Sequence, residues 1–181
     1  KFVFLYAGNM GHPNDVETII ENARRLKDRP EFHFLFLGTG VKEKWIRSAV
    51  EDHGLKNVEI LSPKPRSEQV IFLNACDVAL VSLVDNMLGV SMPSRTYNIL
   101  AAGKPMLALT DPASELATVI DEDRVGWHIR PGKADEMTQT ILDLYAARNE
   151  LSSYGERARK SALEKYSLDA ALAKYRRELG C

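Results

Sequence analysis

Short apolar runs alternate with amphipathic segments along the first 130 residues of this chain. The apolar runs have the length of buried strands, and the segments between them place apolar residues at helical spacing. Strands that alternate with helices in this way predict consecutive βαβ units and a parallel sheet. The predicted strands are Phe2–Ala7, Phe32–Leu37, Val58–Leu61, 78–84, Met106–Leu109 and Gly126–Ile129.

Helix start signals lie between these strands. Asn14 or Asp15 is expected to cap the first helix, and Ser67 is expected to cap the third. From Lys133 onward the pattern is helical throughout, with a last helix capped near Ser167. The predicted fold class is therefore α/β: a Rossmann-like, doubly wound parallel sheet of about six strands with a helical carboxy-terminal tail.

Size and charge exclude several classes of protein. A chain of 181 residues with 45% hydrophobic residues suits one compact domain. The formal charge of −1 carries no electrostatic signature for nucleic acid, so we expect no nucleic-acid partner. No apolar run reaches the roughly 18 residues of a membrane-spanning helix, and we expect no transmembrane segment in this chain.

The cysteines and histidines of the chain indicate neither a metal site nor a disulfide framework. Cys76 and Cys181 are far apart in the sequence, and the four histidines lack metal-ligand spacing. Cysteine usage of this kind favours a reducing, cytoplasmic setting. The chain begins on a strand without an initiator methionine, and we expect it to be a piece of a longer protein.

Glycine- and proline-rich stretches coincide with the ends of the predicted strands. They are the stretches 8–13, 38–41, 62–67, 85–94 and 110–114. In a doubly wound sheet, ligands lie beyond the carboxyl ends of the strands. The overlap predicts a ligand site without reference to any motif.

The segment 92–105 has the features of a short helix with an anion site at its start. Pro93 lacks a backbone N–H and suits the edge of a helix, and Ser94 is predicted to be the N-cap. Free backbone N–H groups and the positive end of the helix dipole attract phosphate there. Arg95 adds a permanent charge whose fork matches phosphate oxygens. The alternative is an ordinary helix of an α/β domain.

This segment resembles the donor-binding motif of family-four retaining glycosyltransferases. It is closest to the bacterial cell-surface polysaccharide branch, in which Pro-Ser-Lys and a Tyr-Glu pair precede Ala-Ala-Gly-Lys-Pro. Three further stretches resemble family motifs in the same order, namely the first glycine loop at 6–11, the Gly-Asp-Gly turn at 37–40 and the Ala-Asp strand at 75–81. The resemblance covers nearly the whole chain and implies the carboxy-terminal half of a GT-B fold.

That resemblance implies a site for a nucleoside diphosphate sugar, with UDP favoured over GDP and no permanently bound cofactor or metal. Arg95 is the group expected to stabilise the charge of the diphosphate. The loop 64–66 is expected to border the nucleobase. The residues expected to bind the donor are Gly8, Asn9, Met10, Gly11, Gly38, Thr39, Gly40, Lys64, Pro65, Arg66, Ser91, Met92, Pro93, Ser94, Arg95 and Asn98.

The chain departs from the family pattern in two places. Many relatives carry an Arg and a Lys near the positions of Asn9 and Asn14, so the positive charge here is expected to come from Arg95. Many relatives also carry two glutamates at the positions of Val90 and Asn98. Val90 can serve neither as an acid nor as a base, whereas Asn98 can still exchange hydrogen bonds with ribose hydroxyls.

The resemblance also implies a domain organisation. Residues 1–165 are expected to form the nucleotide-sugar-binding domain, and 166–181 a terminal helix that crosses back to an amino-terminal acceptor domain. The fragment alone is expected to bind nucleotide weakly and to transfer nothing, and the whole protein is expected in the cytoplasm or at the inner membrane face. Two alternatives remain: another GT-B enzyme, such as a sugar-nucleotide epimerase, and a non-catalytic nucleotide-binding α/β domain.

Overall fold

Six parallel strands form one sheet in the computed structural model, which describes residues 1–90 and 92–180. The strands are β1 (Phe2–Ala7), β2 (Phe32–Leu37), β3 (Val58–Leu61), β4 (Val78–Ser82), β5 (Met106–Leu109) and β6 (Gly126–Ile129). Their order across the sheet is β3-β2-β1-β4-β5-β6. The α/β fold class and the doubly wound sheet are therefore confirmed.

The α-helices follow the strands and then form the carboxy-terminal tail. They are α1 (Val16–Arg25), α2 (Glu43–His53), α3 (Gln69–Asn74), α4 (Arg95–Ala101), α5 (Glu115–Asp123), α6 (Ala134–Ala146), α7 (Leu151–Lys165) and α8 (Leu168–Leu179). Short 3-10 helices at Arg66–Glu68 and Arg148–Glu150 lead into α3 and α7.

The strand order reverses between β1 and β4. The chain first runs outward from β1 to β3 and then returns to place β4 on the other side of β1. Helices α1, α2 and α6 cover one face, and α3, α4, α5 and α7 cover the other. Loops that leave β1 and β4 therefore diverge to opposite faces and open a crevice at the carboxyl edge of the sheet.

Side chains of β1 alternate between the two cores. Phe4 and Tyr6 enter the core under α1, whereas Leu5 enters the core under α3 and α4. The Phe4 ring stacks on Phe34 of the neighbouring strand, with centroids 5.3 Å apart. Complete burial of each such side chain contributes about 1.5–3 kcal/mol, and strand β1 is thereby held rigidly in the middle of the sheet.

Three local predictions are wrong. Strand β4 ends at Ser82 instead of residue 84, because the N–H of Val84 turns away to bond the carbonyl oxygen of Pro13 at 2.9 Å. Ser67 lies inside a 3-10 helix and does not cap α3. Ser94 takes the predicted N-cap position of α4 but not the capping role, since it has helical dihedrals and its side chain makes no capping hydrogen bond. The turn already begins at Pro93, whose oxygen accepts from Thr96 N at 3.0 Å.

Other start signals are confirmed. Asp15 caps α1 by accepting from Thr18 N at 3.0 Å, and Ser167 caps α8 by accepting from Ala170 N at 3.1 Å. The Asp15 carboxylate also accepts from Gly132 N at 2.8 Å. This second bond ties the loop after β1 to the loop after β6.

The tail divides into a packed part and an exposed part. Helix α7 buries Ala158 and Ala162 in the core under α4 and α5. Helix α8 buries none of its side chains, and its apolar residues Leu168, Leu172, Tyr175 and Leu179 are exposed. Within residues 1–90 and 92–180, no helix is both long enough and apolar enough to cross a bilayer.

Candidate functional site

A cleft of about 530 Å³ opens at the point where the strand order reverses. Its floor is formed by residues of β1, β2 and β4, and all of them except Leu80 place their side chains on the α3 and α4 face of the sheet. Its walls are α3, α4 and the loops that follow β1, β2 and β3. The floor residues are Leu5, Ala7, Leu37, Ala79 and Leu80.

Two glycine loops form the rim of this cleft and pack directly on each other. Gly38 has φ +146°, and a Cβ atom there would lie 2.0 Å from the carbonyl oxygen of Gly8. A Cβ on Gly40 would lie 2.5 Å from the oxygen of Met10. The N–H of Met10 bonds the oxygen of Thr39 at 2.8 Å. These glycines therefore allow one loop to approach the other, whereas the sequence had suggested approach to a ligand.

Arg95 reaches from the start of α4 across the crevice to the end of β1. Its guanidinium carbon lies 4.7 Å from the centroid of the Tyr6 ring. Its Nη2 lies 3.5 Å from the oxygen of Asn9 and 3.4 Å from Oδ1 of Asn14. A Cβ on Gly8 would lie 3.0 Å from the same guanidinium, so the first glycine leaves room for the arginine.

The charge of Arg95 is not compensated by a neighbouring carboxylate. In the described part of the chain, no Asp or Glu oxygen lies within 4.0 Å of it. Its Nη1 is shielded from solvent and has no hydrogen-bond partner there. A guanidinium remains protonated at any ordinary pH. Arg95 therefore keeps its charge at the edge of the cleft that it lines.

The opposite wall comes from α3 and the loop before it. Gln69 and Phe72 line the cleft from α3, and Asn98 lines it from α4. Lys64 stands at the β3 side, 3.9 Å from Glu68, in an exposed ion pair. The cleft thus combines an apolar floor with an aromatic ring, carboxamides and two cations.

No carboxylate belongs to the described residues that line the cleft. An anion in it would be attracted mainly by Arg95, because the charge of Lys64 is partly balanced by Glu68. An acid–base step would need a group from outside this lining. Elsewhere in the described ranges, no group of three His, Cys, Asp or Glu side chains is placed to hold a metal ion.

Burial sets the ionisation of two titratable groups in the core, Tyr6 and Cys76. Burial raises the pKa of Tyr6, and the charge of Arg95 opposes that rise only in part. The phenol therefore stays neutral and donates its proton to the oxygen of Asn9 at 2.7 Å. Burial likewise raises the pKa of the Cys76 thiol to about 12, which makes it an unreactive core residue.

About half of the residues predicted for the site are brought together here. Those that line the cleft are Gly8, Asn9, Gly38, Thr39, Lys64, Ser94, Arg95 and Asn98. Ser91 lies outside the described residues, so its placement stays a prediction.

The other predicted residues do not line the cleft. Met10 is completely buried in the core under α1. Gly11 is buried in its own turn, where its oxygen accepts from Asn14 N at 3.1 Å. Gly40, Pro65, Met92 and Pro93 lie in the connections between elements, and Arg66 begins the 3-10 helix that leads into α3.

Four residues near the cleft escaped sequence reasoning. Tyr6 and Phe72 have the periodicity of core residues, and Gln69 has that of an ordinary helix residue. Asn14 was noted as a candidate helix cap and for its missing charge, but not as a contact of Arg95. For Tyr6 and Asn14 the sequence does contain a signal, since both flank the glycine loop after β1.

Comparison with known proteins identifies the family of the chain. The family model described as "Glycosyl transferases group 1" matches residues 1–161. The chain is 30% identical over 175 residues to the probable glycosyltransferase WbjE of Pseudomonas aeruginosa, covering 97% of this chain and 43% of that protein. It is 27% identical over 121 residues to the putative colanic acid biosynthesis glycosyl transferase WcaI of Escherichia coli, covering 67% of this chain and 30% of that protein.

The chain therefore spans less than half the length of these two curated relatives. Among solved structures, Anabaena Alr3699/HepE in complex with UDP-glucose superposes with a TM-score of 0.81 at 15% identity, over 99% of this chain and 49% of that one. At that identity the likeness shows the fold alone. The family model, which matches most of the chain, shows that this chain belongs to the group 1 glycosyl transferases.

Proposed function

We propose that this chain is the donor-binding half of a retaining glycosyltransferase, which moves a sugar from a nucleoside diphosphate sugar to an acceptor. The observation that carries the proposal is Arg95, a cation without a carboxylate partner among the described residues, which lines a cleft without acidic lining residues. A diphosphate is the ligand group that best fits such a cation. The apolar floor and Phe72 suit the flat nucleobase.

In this proposal the contribution of the chain to the reaction is electrostatic. As the bond between the anomeric carbon and the diphosphate breaks, negative charge grows on the leaving phosphate oxygens. A donor that is already in place stabilises that growing charge without reorganisation. Arg95 meets this requirement because it is packed between Tyr6 and the loop after β1. The seven-residue helix α4 is short, so we assign the role to the side chain of Arg95.

Asn98 is proposed to contact the ribose. It lies one helical turn after Arg95 on the same helix and lines the same cleft. A carboxamide can both donate to and accept from the two ribose hydroxyls. UDP is the favoured nucleotide, and the complex of Alr3699/HepE with UDP-glucose supports this choice on the same fold.

The acceptor site and any general base are proposed to lie in the region of the longer relatives that this chain does not span. WbjE and WcaI are both more than twice as long as their matched regions. The name of WcaI refers to colanic acid biosynthesis, which supports a role in cell-surface polysaccharide synthesis for the whole protein. Turnover of a nucleotide sugar onto an acceptor by this chain alone would contradict this division of labour.

Thermal melting with nucleotides tests the proposal. UDP, GDP and ADP are added in turn, each at several concentrations up to the millimolar range. A ligand at about one hundred times its Kd adds about 2.7 kcal/mol of stability. For a domain of this size the expected rise in Tm is about 5–10 °C with UDP.

The variant Arg95→Ala assigns the effect to the diphosphate contact. It should weaken UDP binding by about 1.5–3 kcal/mol, the range of a charge-assisted hydrogen bond. Arg148→Ala is the matched control, because Arg148 also stacks on a tyrosine, 4.7 Å from the Tyr145 ring, but lies outside the cleft. The proposal fails if no nucleotide shifts the Tm, or if Arg95→Ala and Arg148→Ala bind UDP equally.

A further inference from the structure

The carbonyl group of Asn9 is held by two side chains at once. The Tyr6 hydroxyl donates to its oxygen at 2.7 Å, and Nδ2 of Asn14 donates to it at 3.1 Å. Nη2 of Arg95 lies 3.5 Å from the same oxygen. The part of the loop after β1 that contacts the arginine is thereby fixed by residues that do not line the cleft.

Asn14 meets the arginine with a neutral group. Its Oδ1 lies 3.4 Å from Nη2 of Arg95, and its side chain is almost completely buried. The carboxamide nitrogen donates to the oxygen of Asn9 in the loop, and the carboxamide oxygen accepts from the guanidinium of Arg95. A carboxylate at this position would form an ion pair with Arg95 and cancel its charge, whereas the amide orients the group and leaves it charged.

Tyr6 supports the guanidinium from below. Its ring is completely buried at the end of β1, and the guanidinium carbon lies 4.7 Å from the ring centroid. A cation above an aromatic face is attracted to it without losing its charge. The ring therefore forms a rigid platform under Arg95 and limits its rotamers.

We propose that Tyr6 and Asn14 are positioning residues, which together hold Arg95 oriented, charged and without an acidic partner at the edge of the cleft. This inference rests on the proposed role of Arg95 in binding a diphosphate. It assigns a function to two residues that touch the arginine and not the nucleotide. Their loss should therefore weaken the binding of phosphate groups and leave the binding of the nucleoside unchanged.

Calorimetric titration with UDP and with uridine tests this inference. Asn14→Ala should weaken UDP binding about fivefold to tenfold, and Tyr6→Phe about threefold, as expected when a hydrogen bond that orients a charged group is lost. Affinity for uridine should change less than about twofold in both. In an Arg95→Ala background, each of the two substitutions should change UDP affinity by less than about twofold.

Asn22→Ala is the matched control for Asn14→Ala. Asn22 is a completely buried asparagine of α1 that bonds the oxygen of Thr18 at 2.9 Å, on the helix that follows the loop. Its loss should lower the stability of the fold without changing the ratio of UDP affinity to uridine affinity. If Asn14→Ala does not fold, Tyr6→Phe carries the test, because it removes one oxygen and keeps the ring.

The other outcomes of these titrations would overturn the inference. Equal losses for UDP and uridine, or equal losses with and without Arg95, would mean that Tyr6 and Asn14 act only on the fold. A loss of UDP affinity in Arg95→Ala but in neither positioning variant would overturn this inference alone. UDP binding that is absent, or that is indifferent to Arg95→Ala, would overturn the proposed function as well.

Discussion

A Cβ atom on Gly38 would lie 2.0 Å from the carbonyl oxygen of Gly8. The two residues follow neighbouring strands, and each is the first residue after its strand. Both line the cleft, so this single backbone contact sets how closely the two loops approach each other at its rim.

Gly38→Ala is expected to reduce stability strongly. The added methyl group meets a backbone oxygen that cannot move without displacing β1, and we expect a loss of about 3 kcal/mol or more in the free energy of unfolding. Gly54→Ala is the control, because Gly54 also has positive φ but has no atom within 4 Å of its Cβ position among the described residues. It should lose only about 1–2 kcal/mol. If Gly38→Ala and Gly54→Ala lost the same free energy of unfolding in urea, the two loops would be able to move apart at little cost, which would contradict this prediction.

Asn98→Glu tests the position of the ribose. A carboxylate makes stronger hydrogen bonds to hydroxyl groups than a carboxamide does, by about 1 kcal/mol, so uridine should bind about fivefold more tightly. Asn98→Gln is the control, since it has the same length as glutamate without the charge. Affinities for both uridine and UDP are measured by calorimetry.

The comparison of the two ligands separates two effects of that glutamate. Residue 98 lies three positions after Arg95 on α4, where opposite charges can pair. A gain for uridine together with a loss for UDP would indicate that the new glutamate pairs with Arg95. A loss for both ligands would contradict the placement of the ribose at Asn98.

Removal of α8 tests the domain boundary. A chain that ends at Tyr166 loses no buried side chain of α8 and keeps the contact of Tyr166 with Tyr97, whose ring centroids lie 5.1 Å apart. Its free energy of unfolding should match that of the whole chain within about 0.5 kcal/mol. A chain that ends at Glu150 is the control and should fail to fold, because it lacks the buried alanines of α7. A loss above about 2 kcal/mol on removal of α8 alone would contradict the predicted boundary.

The lowered pKa of Glu21 predicts that the stability of the fold depends slightly on pH. Hydrogen bonds from Arg24 and Arg25, each at 2.8 Å, lower the pKa of Glu21 to about 2. A lowered folded pKa contributes stability that is present above the unfolded value near pH 4.5 and is lost as the pH falls through about 2. Because about a third of the Glu21 side chain is exposed to solvent and both of its partners lie at the surface, we expect Glu21→Gln to cost only about 0.5 kcal/mol at pH 7.

The measurement for Glu21 is urea unfolding from pH 7 to pH 2.5. The difference between the wild-type chain and Glu21→Gln should shrink as the pH falls below about 4.5. Glu164→Gln is the control, because its exposed pair with Lys160 has a longer separation of 3.9 Å. A difference that grows toward low pH would contradict the assignment.

The strands and most helix starts could be predicted because they depend on local patterns. Alternation of apolar runs with helical spacing sets the order of elements, and Asp15 and Ser167 cap helices through bonds to N–H groups three residues away. Ser94 shows where such reasoning ends. Its side chain makes no capping bond, because the N–H of Thr96 already donates to the oxygen of Pro93 in the preceding turn. The path of that turn depends on how the loop from β4 packs.

The candidate site was predictable in its residue types and not in its geometry. The sequence by itself determined that glycines follow β1 and β2, that α4 begins with a permanently charged arginine, and that positions 9, 14 and 98 carry neutral carboxamides. These are properties of single residues or short segments. The family resemblance adds what such residues bind in other proteins.

Only the tertiary structure decided which of these residues meet. Arg95 lies 81 positions from Asn14 in the sequence, and their contact exists because β1 and β4 are adjacent in the sheet. The same packing buried Met10 in the core and used the glycines for contact between loops. Side-chain contacts across a parallel sheet depend on strand order and register, which no local pattern specifies.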